Sequence, residues 1–249
     1  MTGELADRVV VVTGGGNGIG RAMCLEVARR SGTVVVADIG ETAASAVATE
    51  IAACGGEAFA VAADVGDAAA VGRMADAAVA RYGRIDGLVN NAAIYATVAV
   101  KRAPHDEIAE REWDDMMRVN LKGTWLCSRA AARVMRARGS GGSIVNVSSG
   151  TAFKGTPGLI HYVTSKAGIL GFTRSLAREL GPDKIRVNCI APGVTASAGA
   201  PGEGWSPDRA LLRQAVPGDI VGAVVFLLSG MSEFVTGQTL VIDGGSYLH

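Results

Sequence analysis

A serine, a tyrosine and a lysine form the group most able to do chemistry. Tyr162 and Lys166 lie four positions apart, and Ser149 precedes Tyr162 by thirteen. Four residues make about one helical turn, so the phenol and the ammonium are predicted to project from one helix face. A cation beside a phenol favours the phenolate and lowers its pKa from roughly 10. Because Ser149 can hydrogen-bond the same substrate oxygen, the group predicts proton transfer to or from an alcohol or ketone.

A glycine-rich turn follows the first strand pattern. The valine run Val9–Val12 leads through Thr13 into Gly14–Gly20, where a helical pattern begins. Strand, glycine turn and helix in this order place a pyrophosphate at a helix N-terminus. Gly14 is predicted to permit the tight turn, Gly18 to let the backbone approach phosphate, and Gly20 to allow close packing of helix on strand.

The second strand pattern ends in an acid. Asp38 stands eighteen residues after Gly20, and its carboxylate can hydrogen-bond both hydroxyls of an adenosine ribose. The same charge repels a 2′-phosphate, and the nearby residues Asn17 and Ile39 supply no cation to attract one. The pattern therefore favours NAD over NADP. A capping role for Asp38 at the next helix remains the simpler alternative.

The elements that position these residues alternate along the chain. Strands are predicted near Val9–Val12, Val34–Ala37, Ala58–Ala62, Gly87–Asn90, Ser143–Ser148, Arg186–Ile190 and Thr239–Ile242. Helices are predicted near Gly18–Arg30, Glu41–Ala53, Asp67–Tyr82, Glu107–Arg138, Leu159–Leu180 and Asp219–Leu228. Continuously apolar strands alternating with helices predict one α/β domain over residues 1–249: a doubly wound (Rossmann) parallel sheet of about seven strands with helices on both faces.

Two segments depart from this rhythm. The segment Glu107–Arg138 is long for one helix, and Gly123 is predicted to mark a bend or a close contact. Residues 195–217 are rich in Gly and Pro, which predicts a lid loop, with a disordered insertion as the alternative. Trp205 in its middle favours the lid, because an indole is usually covered.

Composition excludes several classes of function. Lys+Arg and Asp+Glu both number 24, which gives no electrostatic footprint for nucleic acid. No apolar run is long enough to span a membrane. The four cysteines form no C-x-x-C pair, which is typical of a reducing, cytoplasmic compartment, and the three histidines show no metal-ligand spacing. We therefore expect a cytoplasmic protein with no metal, no membrane contact and no nucleic-acid partner.

Together these residues resemble the short-chain dehydrogenase/reductase family, in its short single-domain branch. The resemblance covers essentially the whole chain. It rests on Thr13–Gly20, Asp64-Val65, Asn90–Ala93, Asn120, the group Ser149/Tyr162/Lys166, Pro192-Gly193, Val235–Gln238 and Asp243–Gly245. Two positions depart from the family pattern: Ala93 replaces a glycine, and Ser197 replaces a threonine that touches the cofactor.

The resemblance implies a role for each of these residues. Tyr162 would be the general acid/base, Lys166 would lower its pKa and bind the nicotinamide ribose, Ser149 would orient the substrate oxygen, and Asn120 would hold a water behind the lysine. The implied cofactor is NAD (NADH). Its expected contacts are Gly14, Asn17, Gly18, Ile19, Gly20, Asp38, Ile39, Asp64, Val65, Asn91, Ala92, Tyr162, Lys166, Pro192, Gly193, Thr195 and Ser197.

The expected substrate is a small secondary alcohol or its carbonyl counterpart, with a hydrophobic or aromatic substituent. This expectation rests on candidate pocket walls that are mostly apolar and could equally be core: Tyr95, Thr151, Phe153, Val194 and Trp205. His161 is expected to face elsewhere on its helix. A 3-ketoacyl-carrier-protein reductase is the main alternative, and a non-catalytic NAD(H)-sensing protein is a further one. The resemblance also implies a homotetramer, or a homodimer, formed through the two long helices and the last strand.

Overall fold

A seven-stranded parallel sheet forms the centre of the fold. The computed structural model describes residues 3–95, 100, 102–196 and 206–248. All strand pairs are parallel, and the strand order is β3-β2-β1-β4-β5-β6-β7. The strands are β1 (Val9–Thr13), β2 (Thr33–Asp38), β3 (Ala58–Ala62), β4 (Gly87–Asn90), β5 (Gly142–Val147), β6 (Ile185–Pro192) and β7 (Thr239–Ile242). The predicted fold class is confirmed.

Helices cover both faces of this sheet. They are α1 (Gly18–Arg29), α2 (Glu41–Ala53), α3 (Ala68–Tyr82), α4 (Glu110–Met116), α5 (Gly123–Arg138), α6 (Thr151–Lys154), α7 (Ile160–Leu180) and α8 (Gly218–Leu228). The stretch Glu107–Arg138, which the sequence marks as long for one helix, is helical from Glu110 onward but is divided into two helices. A π-helical turn, Met117–Lys122, separates α4 from α5. The sequence did not predict the short α6, which directly follows Ser149.

The valine-rich strands are buried on both faces, as a covered parallel sheet requires. Val9 and Val11 of β1 join the core cluster that contains residues of α3 and α5. Val10 and Val12 join the opposite cluster, with residues of α1 and α8. Full burial of each such side chain contributes roughly 1.5–3 kcal/mol. The strand alternation therefore stabilises both helix layers against one sheet.

Strands β1 and β4 lie side by side at the centre of the sheet, and the strand order reverses between them. In sheets of this kind ligands bind outside the carboxyl ends of the strands at such a switch point. The glycine turn follows β1 and Asn91 follows β4, so both reach this crevice. Among the described residues, no helix combines the length and the apolar character that crossing a membrane requires.

Candidate active site

The glycine turn has the backbone conformation that its sequence predicts. Gly14 and Gly18 have φ angles of +62° and +52°, in the left-handed region that favours glycine. A Cβ atom added to Gly20 would lie 1.9 Å from the carbonyl oxygen of Gly14. The helix can therefore approach the turn closely only because residue 20 has no side chain. The backbone N–H groups of the glycine turn and of the first residues of α1 are suited to bind an anion.

Asp38 holds the outer side of this turn. Its Oδ2 accepts a hydrogen bond from the Gly16 N–H at 2.9 Å, and its Oδ1 accepts one from the Gly40 N–H at 2.9 Å. Ile39 beside it is 74% exposed. The carboxylate is thus fixed beside the glycine turn at the end of β2, where the sequence predicts ribose binding. The sequence did not reveal that Asp38 also shapes the turn.

Asn91 and Thr13 join the loops that follow β4 and β1. The Asn91 side-chain amide donates to the carbonyl oxygens of Thr13 and Gly14, at 3.1 and 3.0 Å. The Thr13 hydroxyl oxygen accepts from the N–H groups of Asn91 and Ala92, both at 3.1 Å. These side-chain to main-chain bonds hold the two sides of the crevice in register.

Asp64 has a partner that the sequence did not predict. Its Oδ2 lies 2.9 Å from Nη1 of Arg118 in the π-helical turn, and its Oδ1 accepts from the Gly66 N–H at 2.8 Å. The predicted contact between Asp64 and an adenine amino group stays a prediction. Gly123 packs against Val65, since an added Cβ would lie 2.8 Å from Val65 Cγ2. The close contact predicted at Gly123 is therefore real.

Tyr162 and Lys166 lie buried on α7, and Ser149 lies between β5 and α6. The Ser149 hydroxyl lies close enough to the Tyr162 phenol to lower its pKa, and it accepts a hydrogen bond from the Thr151 hydroxyl at 3.0 Å. The neighbouring Ser148 instead donates to the Lys166 carbonyl oxygen at 2.7 Å. The structure thus brings Ser149 and Tyr162 together, as the sequence predicts, and gives Ser148 a structural hydrogen bond.

The electrostatics of the pair differ from the sequence expectation. Burial raises the pKa of Tyr162, although the Ser149 hydroxyl opposes this shift. Burial lowers the pKa of Lys166 to about 8. Lys166 Nζ donates to the Val147 carbonyl oxygen at 2.8 Å and lies 5.9 Å from the centroid of the Tyr162 ring. Desolvation therefore outweighs the expected effect of the lysine on the phenol.

Asn120 lies fully buried in the π-helical turn, a feature that is frequent at functional sites. Its Oδ1 accepts from the Ile94 N–H at 2.8 Å, and its Nδ2 donates to Ser165 Oγ at 3.1 Å. Ser165 in turn donates to the Tyr162 carbonyl oxygen at 2.7 Å. Asn120 therefore links the loop after β4 to α7. Its water-binding role stays a prediction.

Two aromatic pairs lie on the substrate side of the site. The rings of Tyr95 and Tyr162 stack with centroids 4.5 Å apart and an interplanar angle of 29°. Phe153 of α6 stacks on Tyr247 at 5.2 Å, so the C-terminal segment packs against α6 of its own chain. Val194 is 56% exposed. Two further predicted residues, Ser197 and Trp205, lie outside the described residues.

His161 is buried, and its Nδ1 has no hydrogen-bond partner in the part of the chain that the structure describes. Burial lowers its pKa, while Glu112 of α4 opposes this shift. The expectation that His161 lies away from the substrate stays untested.

Both ends of the predicted lid are fixed. Gly193 donates to the Ile242 carbonyl oxygen at 2.9 Å, and the Thr195 hydroxyl donates to the Gly193 carbonyl oxygen at 3.0 Å. The buried Arg209 donates to the carbonyl oxygens of Val194, Asp243 and Arg213 at 2.8, 2.8 and 2.9 Å. Sequence reasoning missed Arg209; its only signal was a cation within a loop rich in glycine and proline.

Comparisons with known proteins decide the family. The family model described as short chain dehydrogenase matches residues 8–203. The chain belongs to the short-chain dehydrogenase/reductase family. A protein of Rhizobium meliloti (strain 1021) named a probable galactose dehydrogenase is 39% identical over 98% of this chain and 96% of its own. A 3-oxoacyl-[acyl-carrier-protein] reductase of Staphylococcus aureus is 38% identical over 96% and 97%.

A solved structure agrees with this family. A short-chain type dehydrogenase/reductase from Mycobacterium marinum has a TM-score of 0.91 and 32% identity, over 98% of this chain and 97% of that one. The chain is thus an oxidoreductase that acts on CH–OH groups, as dehydrogenases and reductases of this family do. The family binds nicotinamide dinucleotides. The glycine turn fits such a cofactor, because the absence of a side chain at Gly20 lets the start of α1 lie close to the turn at Gly14.

Proposed function

We propose that this protein interconverts a secondary alcohol, with a hydrophobic or aromatic substituent, and its ketone, with NAD as the cofactor. The observation that carries the proposal is that the buried Tyr162 phenol lies within reach of the Ser149 hydroxyl, which opposes the rise in the pKa of the phenol. A phenol in this position can exchange a proton with an alcohol oxygen that the serine hydroxyl orients. The exposed faces of Tyr95 and Val194 support an apolar substituent.

The chain's own residues handle the proton. In oxidation Tyr162 is the general base that takes the hydroxyl proton, and in reduction it is the general acid. Because burial raises the pKa of this phenol, its phenolate depends on the Ser149 hydroxyl and on the nearby Lys166 ammonium. NAD, when bound, supplies the hydride acceptor. Asn17, Gly18, Ile19 and Asp38 would hold its adenosine and phosphate groups, and Lys166 its nicotinamide ribose.

NAD is favoured over NADP because of the charge on Asp38. Its carboxylate is fixed beside the glycine turn by the N–H groups of Gly16 and Gly40. A second negative charge on the 2′-oxygen would be repelled there. We also infer a homotetramer, which size-exclusion chromatography with light scattering would test, and a cytoplasmic location. Buried free thiols at Cys24, Cys127 and Cys189 support the latter.

The second candidate function is reduction of a 3-ketoacyl group on a carrier protein. The relative of that name, 38% identical to this chain, favours it. One panel separates the candidates: aromatic secondary alcohols, aldoses such as galactose, and a 3-ketoacyl thioester, each with both cofactors and with NADH or NADPH absorbance as the readout. We expect NAD-dependent turnover of the alcohols. Turnover of the thioester with NADPH alone would replace the proposal by the second candidate.

A further inference from the structure

Tyr95 covers one face of the Tyr162 ring. The two rings stack at 4.5 Å, and their planes differ by 29°. Tyr162 is 7% exposed, whereas Tyr95 is 45% exposed. Tyr95 is therefore the outer member of the pair, and the phenol that transfers the proton is the inner one.

A partly buried hydrogen bond holds the segment that carries Tyr95. Ile94, its neighbour in the chain, donates its N–H to Oδ1 of Asn120 at 2.8 Å. The Ile94 side chain also packs against the cluster formed by Met116, Leu159 and Tyr162. The backbone next to Tyr95 is thus tied to the π-helical turn. The stacking is supported by this partly buried polar contact as well as by the rings themselves.

Stacking of this kind restricts the Tyr162 ring. A tyrosine ring can tilt about its two side-chain torsions, and such a tilt would move the phenol oxygen away from Ser149. Offset aromatic pairs at this separation attract each other beyond the area they bury. The second ring therefore favours one plane for the first. It also keeps water from one face of the phenol.

We propose that Tyr95 is a positioning residue for the proton transfer, acting through its ring, which fixes the plane of Tyr162 so that the phenol oxygen stays at Ser149. The proposal rests on the proposed function of Tyr162 as the proton-transfer group. Tyr95 itself exchanges no proton with the substrate.

Several polar or ionisable groups surround Tyr162. Lys166 lies on the same helix, Ser149 precedes α6, His161 is the preceding residue on α7, and Glu112 of α4 faces His161. Tyr95 adds to the rise in the pKa of Tyr162. Loss of the Tyr95 ring leaves the other groups in place, so a change in the pH profile reports on this ring.

The first experiment needs no substrate. The chain has four tyrosines, at positions 82, 95, 162 and 247, so labelling them with ¹³C at Cζ gives four signals that single Tyr→Phe variants assign. We expect Tyr95→Ala to shift the Tyr162 signal, because the ring current of Tyr95 is lost. Tyr95→Phe keeps the ring and leaves the signal near its wild-type position. A Tyr162 signal that is unchanged in Tyr95→Ala would overturn the stacking itself.

The second experiment is kinetic. We expect Tyr95→Ala to lower kcat about three- to tenfold, with KM changing less than about twofold, as loss of one aromatic pair predicts. The acidic limb of its kcat/KM profile for alcohol oxidation moves to lower pH, because water reaches the phenol. Tyr95→Phe recovers most of the lost kcat. Phe234→Ala, which removes a fully exposed ring, serves as the matched control.

The outcomes separate the two proposals. If only KM rises in Tyr95→Ala, Tyr95 binds substrate and the positioning role is wrong. If Tyr95→Phe is as impaired as Tyr95→Ala, the hydroxyl and not the ring acts, and the proposal is also wrong. If the wild type turns over no alcohol, the proposed function fails, while the ¹³C shift still decides whether the stack exists in solution.

Discussion

Main-chain groups shape the side of the crevice that is proposed to bind the cofactor, whereas side chains shape the side that is proposed to bind the substrate. On the cofactor side, main-chain groups do the shaping, and short side chains such as Thr13 and Asn91 bind them directly. On the substrate side, large side chains do it, and Tyr95 and Val194 are 45% and 56% exposed. The two sides meet at Tyr162, which is buried beneath the Tyr95 ring and lies within reach of the Ser149 hydroxyl.

This difference explains why the sequence predicts the ligand of the cofactor side but not that of the substrate side. A phosphate group is recognised by backbone N–H groups, which every chain supplies in the same way once the glycines are in place. An alcohol substituent is recognised by the shapes of individual side chains. The following predictions test this division, beginning with the residue on which both sides converge.

The largest effect is expected from Tyr162→Phe. Removing the phenol oxygen removes the acid/base group, so kcat should fall about 10²- to 10⁴-fold. Binding of NADH, followed by its fluorescence, should stay near the wild-type value, because the glycine turn is untouched. Tyr82→Phe on α3 is the matched control. A Tyr162→Phe enzyme with wild-type kcat would mean that the two sides do not converge on this phenol.

Gly20→Ala tests the cofactor side alone. The new methyl group would lie 1.9 Å from the Gly14 carbonyl oxygen, so the turn has to shift. We expect the free energy of unfolding in urea to fall by about 1–3 kcal/mol, as for other overpacked sites, and NADH binding to weaken.

Gly72→Ala in α3 is the matched control for that change. No heavy atom of the described residues, apart from its chain neighbours and the backbone of its own helix, lies within 4 Å of its added Cβ. Its free energy of unfolding should rise by about 0.5–1 kcal/mol, because alanine is the better helix former. Equal effects of the two substitutions would show that the turn does not depend on close packing.

Asp38→Asn tests the choice of cofactor. The ratio of kcat/KM for NAD to that for NADP should fall about tenfold, equivalent to about 1.4 kcal/mol, because the repelling charge is gone. The asparagine oxygen can still accept a hydrogen bond from Gly16. Asp76→Asn, an exposed change on α3, is the control. A wild type that already uses both cofactors equally would contradict the assignment to NAD.

The last prediction concerns the pH dependence of stability. Burial holds the pKa of Lys166 at about 8, below its ordinary 10.5. The unfolded state therefore binds more protons between these values, and this lysine destabilises the fold less as pH rises. From pH 7 to 9.5 the free energy of unfolding of the wild type, relative to Lys166→Met, should increase by about 1–2 kcal/mol.

Urea titrations at both pH values measure this difference, with the exposed-lysine variant Lys122→Met as the control. If the difference falls with rising pH, the lysine is not desolvated as its position indicates.

The sequence predicted the features that local spacing determines. The four-residue interval placed Tyr162 and Lys166 on one helix. The continuously apolar sequences of β1 and β2 indicated a sheet covered on both faces. It could not predict the balance between charge and burial. Lys166 was expected to lower the pKa of Tyr162, yet both side chains are desolvated by elements distant in sequence, and the phenol pKa rises instead.

The missed features all depend on contacts between distant segments. Arg118 meets Asp64 across 54 positions, and no local pattern marks the pair. The sequence marked Glu107–Arg138 as long for one helix, but no local pattern placed the π-helical turn at Met117–Lys122. The stacking of Tyr95 on Tyr162 likewise joins the loop after β4 to α7. Such contacts become visible only when the sheet brings the loops together.

Arg209 has a consequence for engineering the enzyme. Its guanidinium donates to the carbonyl oxygens of Val194 and Asp243, which are distant from it in the chain, and to that of Arg213, four residues further on. It therefore acts as a noncovalent crosslink that ties the loop after β6 to the segment after β7. Grafting a foreign lid should succeed only if this arginine and its three acceptors are transferred together.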